Sequence, residues 1–130
     1  MILLDTHIWI WWVDGHPHLP EDCRAFIQRH IPTGLGVSVI SCWEVAKLVE
    51  YRRLDLACPV EEWLDQAVQY PGMQLLDLTP RIAVESTQLP GEFHRDPADQ
   101  LIVATARVFD CPLVTVDARL LAYPYVNTQR

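Results

Sequence analysis

Five acidic residues fall where the chain is expected to change direction: Asp5, Glu44, Asp96, Asp99 and Asp117. An ionised carboxylate offers only oxygen acceptors, and several gathered together suit a hard divalent cation such as Mg²⁺ or Mn²⁺. Such an ion acidifies bound water and stabilises charge developing on phosphorus, so the chemistry implied is metal-assisted phosphodiester hydrolysis. Each acid also has an ordinary structural explanation. Asp96 precedes Pro97, which suits the first position of a helix, so Asp96 reads as the N-cap and Asp99 as a first-turn acid at the positive dipole end. Ser41-Cys42-Trp43-Glu44 has the form of a capping box, in which Glu44 would reach back to the N–H of Ser41. Asp5 and Asp117 close apolar runs and read as strand-end turns. Taken together these explanations weaken. Four or five carboxylates within a few ångströms repel one another by about a kcal/mol or more per pair even at high effective dielectric. No lysine pair or arginine cluster stands at matching positions, which leaves a divalent cation as the expected counter-charge.

The elements that must position these acids alternate. Ile2-Leu3-Leu4 is a continuous apolar run, the pattern of a strand buried on both faces, and it ends at Asp5-Thr6. Thr6 to Val13 reads as a helix closed by Asp14-Gly15, with Trp9 and Trp12 directed to the core. Leu19-Pro20-Glu21-Asp22 opens a second helix to about Ile31, acidic at its start and basic at its end. Gly36–Ile40 reads as a second strand, with a helix from Ser41 to about Arg53. Pro59–Val68 is a further helix. Met73–Leu78 reads as a third strand, and Thr79-Pro80 caps a helix that ends at Pro90-Gly91. The helix after Asp96 presents Leu101, Ile102, Val103, Ala106 and Phe109 on one broad face. Leu113–Asp117 reads as a fourth strand, Ala118–Tyr123 as a short helix, and Pro124–Thr128 as an edge strand. Alternation of this kind predicts an α/β fold with three layers: a central parallel sheet, helices on both faces, and a site outside the carboxyl ends of the strands. With strand order 3-2-1-4-5, the order reverses between the first and fourth strands, and Asp5 and Asp117 are expected side by side.

Composition narrows the class. At 130 residues the chain is the size of one domain, 1–130. A net charge of −7 with 50% hydrophobic residues excludes disorder, and it excludes gripping nucleic acid by bulk electrostatics. Contact with RNA must then be local. The single lysine is Lys47; the remaining cations are arginines, which suit phosphate. Lys47, Arg95 and Arg119, each near an acid in sequence, are the candidate phosphate contacts. The four cysteines lack CxxC spacing, the histidines form no ligand pair at helical spacing, and no apolar run reaches the length of a membrane span, all consistent with a cytoplasmic protein.

The apolar strand ending Asp5-Thr6, the Ser41-x-x-Glu44 helix start, the Asp96-Pro97-x-Asp99-x-x-x-x-Ala104-x-Ala106 helix and the Val114-Thr115-x-Asp117 strand end resemble the PIN-domain nucleases. More narrowly, they resemble VapC-type toxins of bacterial toxin–antitoxin modules, and the resemblance covers essentially the whole chain. It implies a PIN-like fold and an endoribonuclease dependent on Mg²⁺ or Mn²⁺. It also implies a homodimer and a cognate antitoxin that blocks the site. Carried over residue by residue, the family's acidic quartet becomes Asp5, Glu44, Asp99 and Asp117, as catalytic residues and metal ligands. Asp96 matches an acid frequent in the subgroup, while Thr6 and Thr115 match small hydroxyl positions near the metal. These three have supporting rank.

Other classes remain open. A catalytically silent PIN-fold binding module would use the same fold and the tryptophans of Trp9-Ile10-Trp11-Trp12, with Trp43, to hold a protein partner. A nuclease acting on DNA or another phosphodiester would share the site. A phosphoacceptor domain or an Asp-x-Asp phosphatase is disfavoured, because Asp5 is followed by Thr6-His7 and no lysine follows the last strand.

Overall fold

The computed structural model describes residues 1–130. Its strands are β1 (Ile2–Leu4), β2 (Leu35–Ser38), β3 (Met73–Leu76), β4 (Leu113–Val114) and β5 (Thr128–Gln129). They form one sheet of order β3-β2-β1-β4-β5 in which every neighbouring pair is parallel, the expected topology. Between them run α1 (Thr6–Asp14), α2 (Glu21–His30), α3 (Val39–Glu50), α4 (Val60–Ala67), α5 (Pro80–Ser86), α6 (Pro97–Phe109) and α7 (Ala118–Ala122). No helix is long and apolar enough to cross a membrane.

The pleat of β1 explains the three layers. Ile2 and Leu4 pack with Ile8, Trp9, Ile27, Val45 and Trp63 from α1 to α4, whereas Leu3 packs with Ile102, Val103, Leu120 and Tyr123 from α6, α7 and the residue after it. Successive side chains of a strand face opposite sides, so a strand covered on both must be apolar throughout. All three β1 residues are buried.

Local chemistry sets the helix ends. Gly15, at φ +60°, closes α1 by donating its N–H to the carbonyls of Trp11 and Trp12, a left-handed cap that any side chain would strain. Trp9 is fully buried, edge-on to Trp63 with ring centroids 5.2 Å apart. Trp63 Nε1 in turn donates to Asp14 Oδ1 at 2.9 Å, locking α4 to the end of α1. Trp12 is only partly buried, and Trp11 lies among the rings of His7, His16 and His18.

Several boundaries differ from the sequence reading, each for a physical reason. The second strand stops at Ser38 rather than Ile40, because Ser38 is extended and its Oγ accepts from Ile40 N at 3.1 Å, taking the cap position of α3. The Ser41–Glu44 capping box therefore does not form: both residues lie inside α3, and Ser41 is fully buried. Phe109 misses the apolar face of α6 and is 45% exposed. β3 is a half-exposed edge strand four residues long. β4 pairs over only two residues, and the last strand is Thr128–Gln129 rather than Pro124–Thr128.

Candidate active site

The carboxyl edges of β1, β2 and β4 deliver helix starts to one region. Asp5 caps α1, accepting from Thr6 N at 2.9 Å. Asp96 caps α6 through the N–H groups of Ala98 and Asp99, at 3.0 and 3.2 Å. Asp117 caps α7 through Arg119 N at 2.8 Å. Asp99 lies in the first turn of α6 and is 8% exposed. Unpaired N–H groups and the positive dipole end make each of these positions favourable for a carboxylate.

Two hydroxyl groups tie the cluster together. Since β1 pairs with β4 at Leu4 and Val114, the next residues, Asp5 and Thr115, lie across from each other. Thr115 Oγ1 donates to Asp5 Oδ2 at 2.7 Å. The residue beside Asp5 is thus Thr115, not Asp117 as the strand order alone suggested; Asp117 lies two residues further on, where α7 begins. Thr6 Oγ1 donates to Glu44 Oε1 at 2.5 Å and is 2.8 Å from Ser41 Oγ. A threonine hydroxyl has one proton, so Ser41 is the donor in that second contact. Glu44 therefore points from inside α3 toward α1.

The charges feel one another. Burial pushes Asp5 above the usual carboxylate range and the charge of Asp99 adds to the rise, while the bonds from Thr115 and Thr6 oppose it. Burial pushes Glu44 up to about 7, aided by Asp5, Asp99 and Asp96 and opposed by Thr6. Asp99 is also raised by burial, with Asp96 and Asp117 adding and His94 opposing. Asp117 differs: its burial is outweighed by the N–H and guanidinium of Arg119, and it is held below its ordinary value.

Two nitrogen partners stand nearer to the acids than the sequence indicated. Arg119 Nη2 lies 3.5 Å from both Asp99 Oδ2 and Asp117 Oδ2. His94 Nε2 lies 2.6 Å from the same Asp99 oxygen, with its ring stacked on Phe93 at 4.3 Å. His94 and Ser41 were not among the sequence candidates. The signal for His94 is its place two residues before the α6 cap, from which a side chain can fold back over the first turn. Of the other candidate cations, Lys47 is turned onto Glu50 at 2.8 Å, and Arg95 is exposed with no ion pair.

Each carboxylate is thus engaged by a protein partner, and no three His, Cys, Asp or Glu side chains converge, as oriented, closely enough to hold a metal ion. The donor set nevertheless fits a hard dication. It is all oxygen, the donor type such an ion prefers, and burial raises three of its acids, with the charge of Asp99 adding to the rise at Asp5 and Glu44. A larger hollow of about 480 Å³ lies over α4, but Glu61, Glu62 and Asp65 line it and would repel phosphate.

The sequence profile of the PIN domain matches residues 2–124. The chain is 37% identical over 122 residues to Ribonuclease VapC22 of Mycobacterium tuberculosis, an alignment covering 94% of this chain and 91% of that protein. Among solved structures it is similar to VapBC2 from Rickettsia felis bound to promoter DNA, with a TM-score of 0.73 at 17% identity, covering 99% of this chain and 98% of that one. It is also similar to FitAcB from Neisseria gonorrhoeae, with a TM-score of 0.70 at 23% identity over 100% and 97% of the two chains. A toxin–antitoxin complex from Klebsiella pneumoniae gives 0.70 at 20% identity, again over 100% and 97%. At these identities the structures speak for a shared fold.

Proposed function

This chain belongs to the PIN-domain family, and from that premise we propose that it is a divalent-metal-dependent endoribonuclease, the toxin of a toxin–antitoxin pair. The observation that carries the reading is the placement of the acids at one end of the sheet: Asp5 held by Thr115, Glu44 held by Thr6 next to Asp5, and Asp99 and Asp117 both within 3.5 Å of one Arg119 guanidinium nitrogen. Identity of 37% with a protein named as a ribonuclease supports RNA as the substrate. The structural neighbours described as toxin–antitoxin assemblies support an antitoxin partner. A homodimer follows from the family resemblance.

In this reading Asp5, Glu44, Asp99 and Asp117 hold Mg²⁺ or Mn²⁺. When bound, the ion supplies an acidified water and a Lewis acid for the phosphodiester. The protein's own part is orientation. Thr115 fixes one Asp5 oxygen, Thr6 fixes Glu44, and His94 fixes Asp99. Asp96 secures the first turn of α6, so that Asp99 is presented from a rigid element. Arg119, 58% exposed at its side chain, is placed to meet a phosphate oxygen beside Asp99 and Asp117.

The test is incubation of the purified chain with single-stranded and structured RNAs in Mn²⁺ or in EDTA. Internal cleavage in Mn²⁺ alone supports the reading. Intact RNA in both conditions, with no Mn²⁺-dependent stabilisation of the protein, leaves a silent binding module instead.

A further inference from the structure

A cavity of about 180 Å³ opens next to this cluster, lined by Phe93, His94 and Tyr123 together with Glu92, Arg119 and Ala122. Its walls are built rather than incidental. Phe93 stacks on His94 at 4.3 Å and meets Tyr123 edge-on at 4.8 Å. Tyr123 is 6% exposed, and its hydroxyl donates to Pro90 O at 2.6 Å, tying α7 to the loop before α6. Gln100 Nε2 donates to His94 O at 3.1 Å and holds that loop down on α6.

Two of the lining residues, His94 and Arg119, also touch the same oxygen of Asp99. The cavity therefore borders the Asp99 end of the cluster, with His94 and Arg119 shared between the two. We propose that this cavity is a nucleobase subsite, taking one unpaired base of an RNA strand adjacent to the phosphodiester at the carboxylate cluster. The proposal rests on the ribonuclease reading above.

The chemistry matches that ligand. Partly exposed rings stack bases of any sequence, and Phe93 and His94 are such rings in this lining, with buried Tyr123 behind them; unpaired bases are the ones that can leave a strand to be stacked. A guanidinium at the rim meets the phosphate of the same nucleotide. The Glu92 carboxylate at the rim disfavours a second phosphate and offers an acceptor to the exocyclic amino group of a base. The subsite also answers the charge problem of a chain at −7: stacking binds RNA without a broad positive surface.

The experiment uses the full-length wild-type chain, Phe93→Leu, which keeps apolar volume but removes the ring, and Ala122→Trp, which fills the cavity from its rim. Each is assayed on a single-stranded RNA cut by the wild type, and on copies carrying one abasic nucleotide at successive positions around the cut. Binding of the same oligonucleotides is measured in EDTA by fluorescence anisotropy. Loss of one flanking base is expected to raise KM and the EDTA dissociation constant of the wild type by about tenfold, with kcat little changed. The same abasic substitution should cost Phe93→Leu and Ala122→Trp less than about threefold, because their subsite is already lost. Equal tolerance of abasic nucleotides at every position by a wild type that cuts RNA overturns the subsite alone. So does unchanged discrimination in both variants. A wild type that binds RNA with the abasic pattern yet cuts nothing in Mn²⁺ keeps the subsite and sinks the nuclease reading.

Discussion

Thr115 Oγ1 donates to Asp5 Oδ2 at 2.7 Å, joining residues 110 positions apart in the chain at the point where the sheet reverses its order. Thr115 is fully buried, and its bond is the main one opposing the upward push of burial on Asp5. Thr115→Val keeps the shape and removes the donor. It should cost about 1–3 kcal/mol of stability in EDTA, since Asp5 loses a donor and the Asp117 N–H, 3.0 Å from the same hydroxyl, loses its acceptor, and weaken Mn²⁺ binding. Denaturant unfolding and calorimetric Mn²⁺ titration check both.

Glu44, pushed up to about 7, makes the stability of the metal-free protein depend on pH. Between the ordinary carboxyl value and about 7, the folded state holds more protons than the unfolded one. Stability therefore falls as pH rises through that window and levels off above it. Asp5 and Asp99, raised in the same direction, add to the fall. In EDTA, Glu44→Gln should flatten the dependence, with Tm above the wild type at about pH 7.5 and no such advantage at about pH 5. Mn²⁺ should stabilise the wild type increasingly across the same range, as the carboxylates become free to bind it.

His94 holds Asp99 through a single short contact in a packed setting, against Phe93 and beneath Gln100. Partners of metal-binding side chains commonly govern affinity by about 10- to 100-fold. His94→Ala should weaken Mn²⁺ binding within that range. His94→Gln, whose amide can donate from nearly the same place, should recover part of it. Calorimetric titration of Mn²⁺ into both variants, with Tm in EDTA as the control for folding, measures this directly.

Arg119 bridges Asp99 and Asp117 at 3.5 Å to each, and it is exposed enough to leave them. As a cation on two acids of the cluster it competes with any other cation there. Arg119→Ala should bind Mn²⁺ at least as tightly as the wild type, while its KM for RNA rises several-fold through loss of a phosphate contact. Opposite movement of the two constants separates this role from a general loss of structure.

The sequence carried the architecture well because β1 announces itself. Ile2-Leu3-Leu4 must be covered on both faces, and only a central parallel strand is. The acids at helix starts were legible for the same reason: Asp96-Pro97 can hardly be anything but a cap. What local pattern could not resolve was competition between caps. Ser38 and Ser41 both have the right side chain, and the sheet register, which ends β2 at Ser38, decides between them. That three-residue difference turns Glu44 from a self-capping residue into a partner of Thr6. Likewise His94 stands out in the chain only for its place before the α6 cap, and Arg119 only for its nearness to Asp117. Their meeting at one oxygen of Asp99 depends on α7 packing beside the start of α6, a tertiary fact with no local signature.

The account depends on the acids acting together on a bound ion, and Asp99, held by both His94 and Arg119, adds its charge at both Asp5 and Glu44. The most direct measurement is the rate of RNA cleavage in Mn²⁺ by purified Asp99→Asn, with circular dichroism confirming its fold. Cleavage that falls to the level of the EDTA control, with Mn²⁺ binding lost alongside it, is the expected result. Cleavage at the wild-type rate by the folded variant would contradict it.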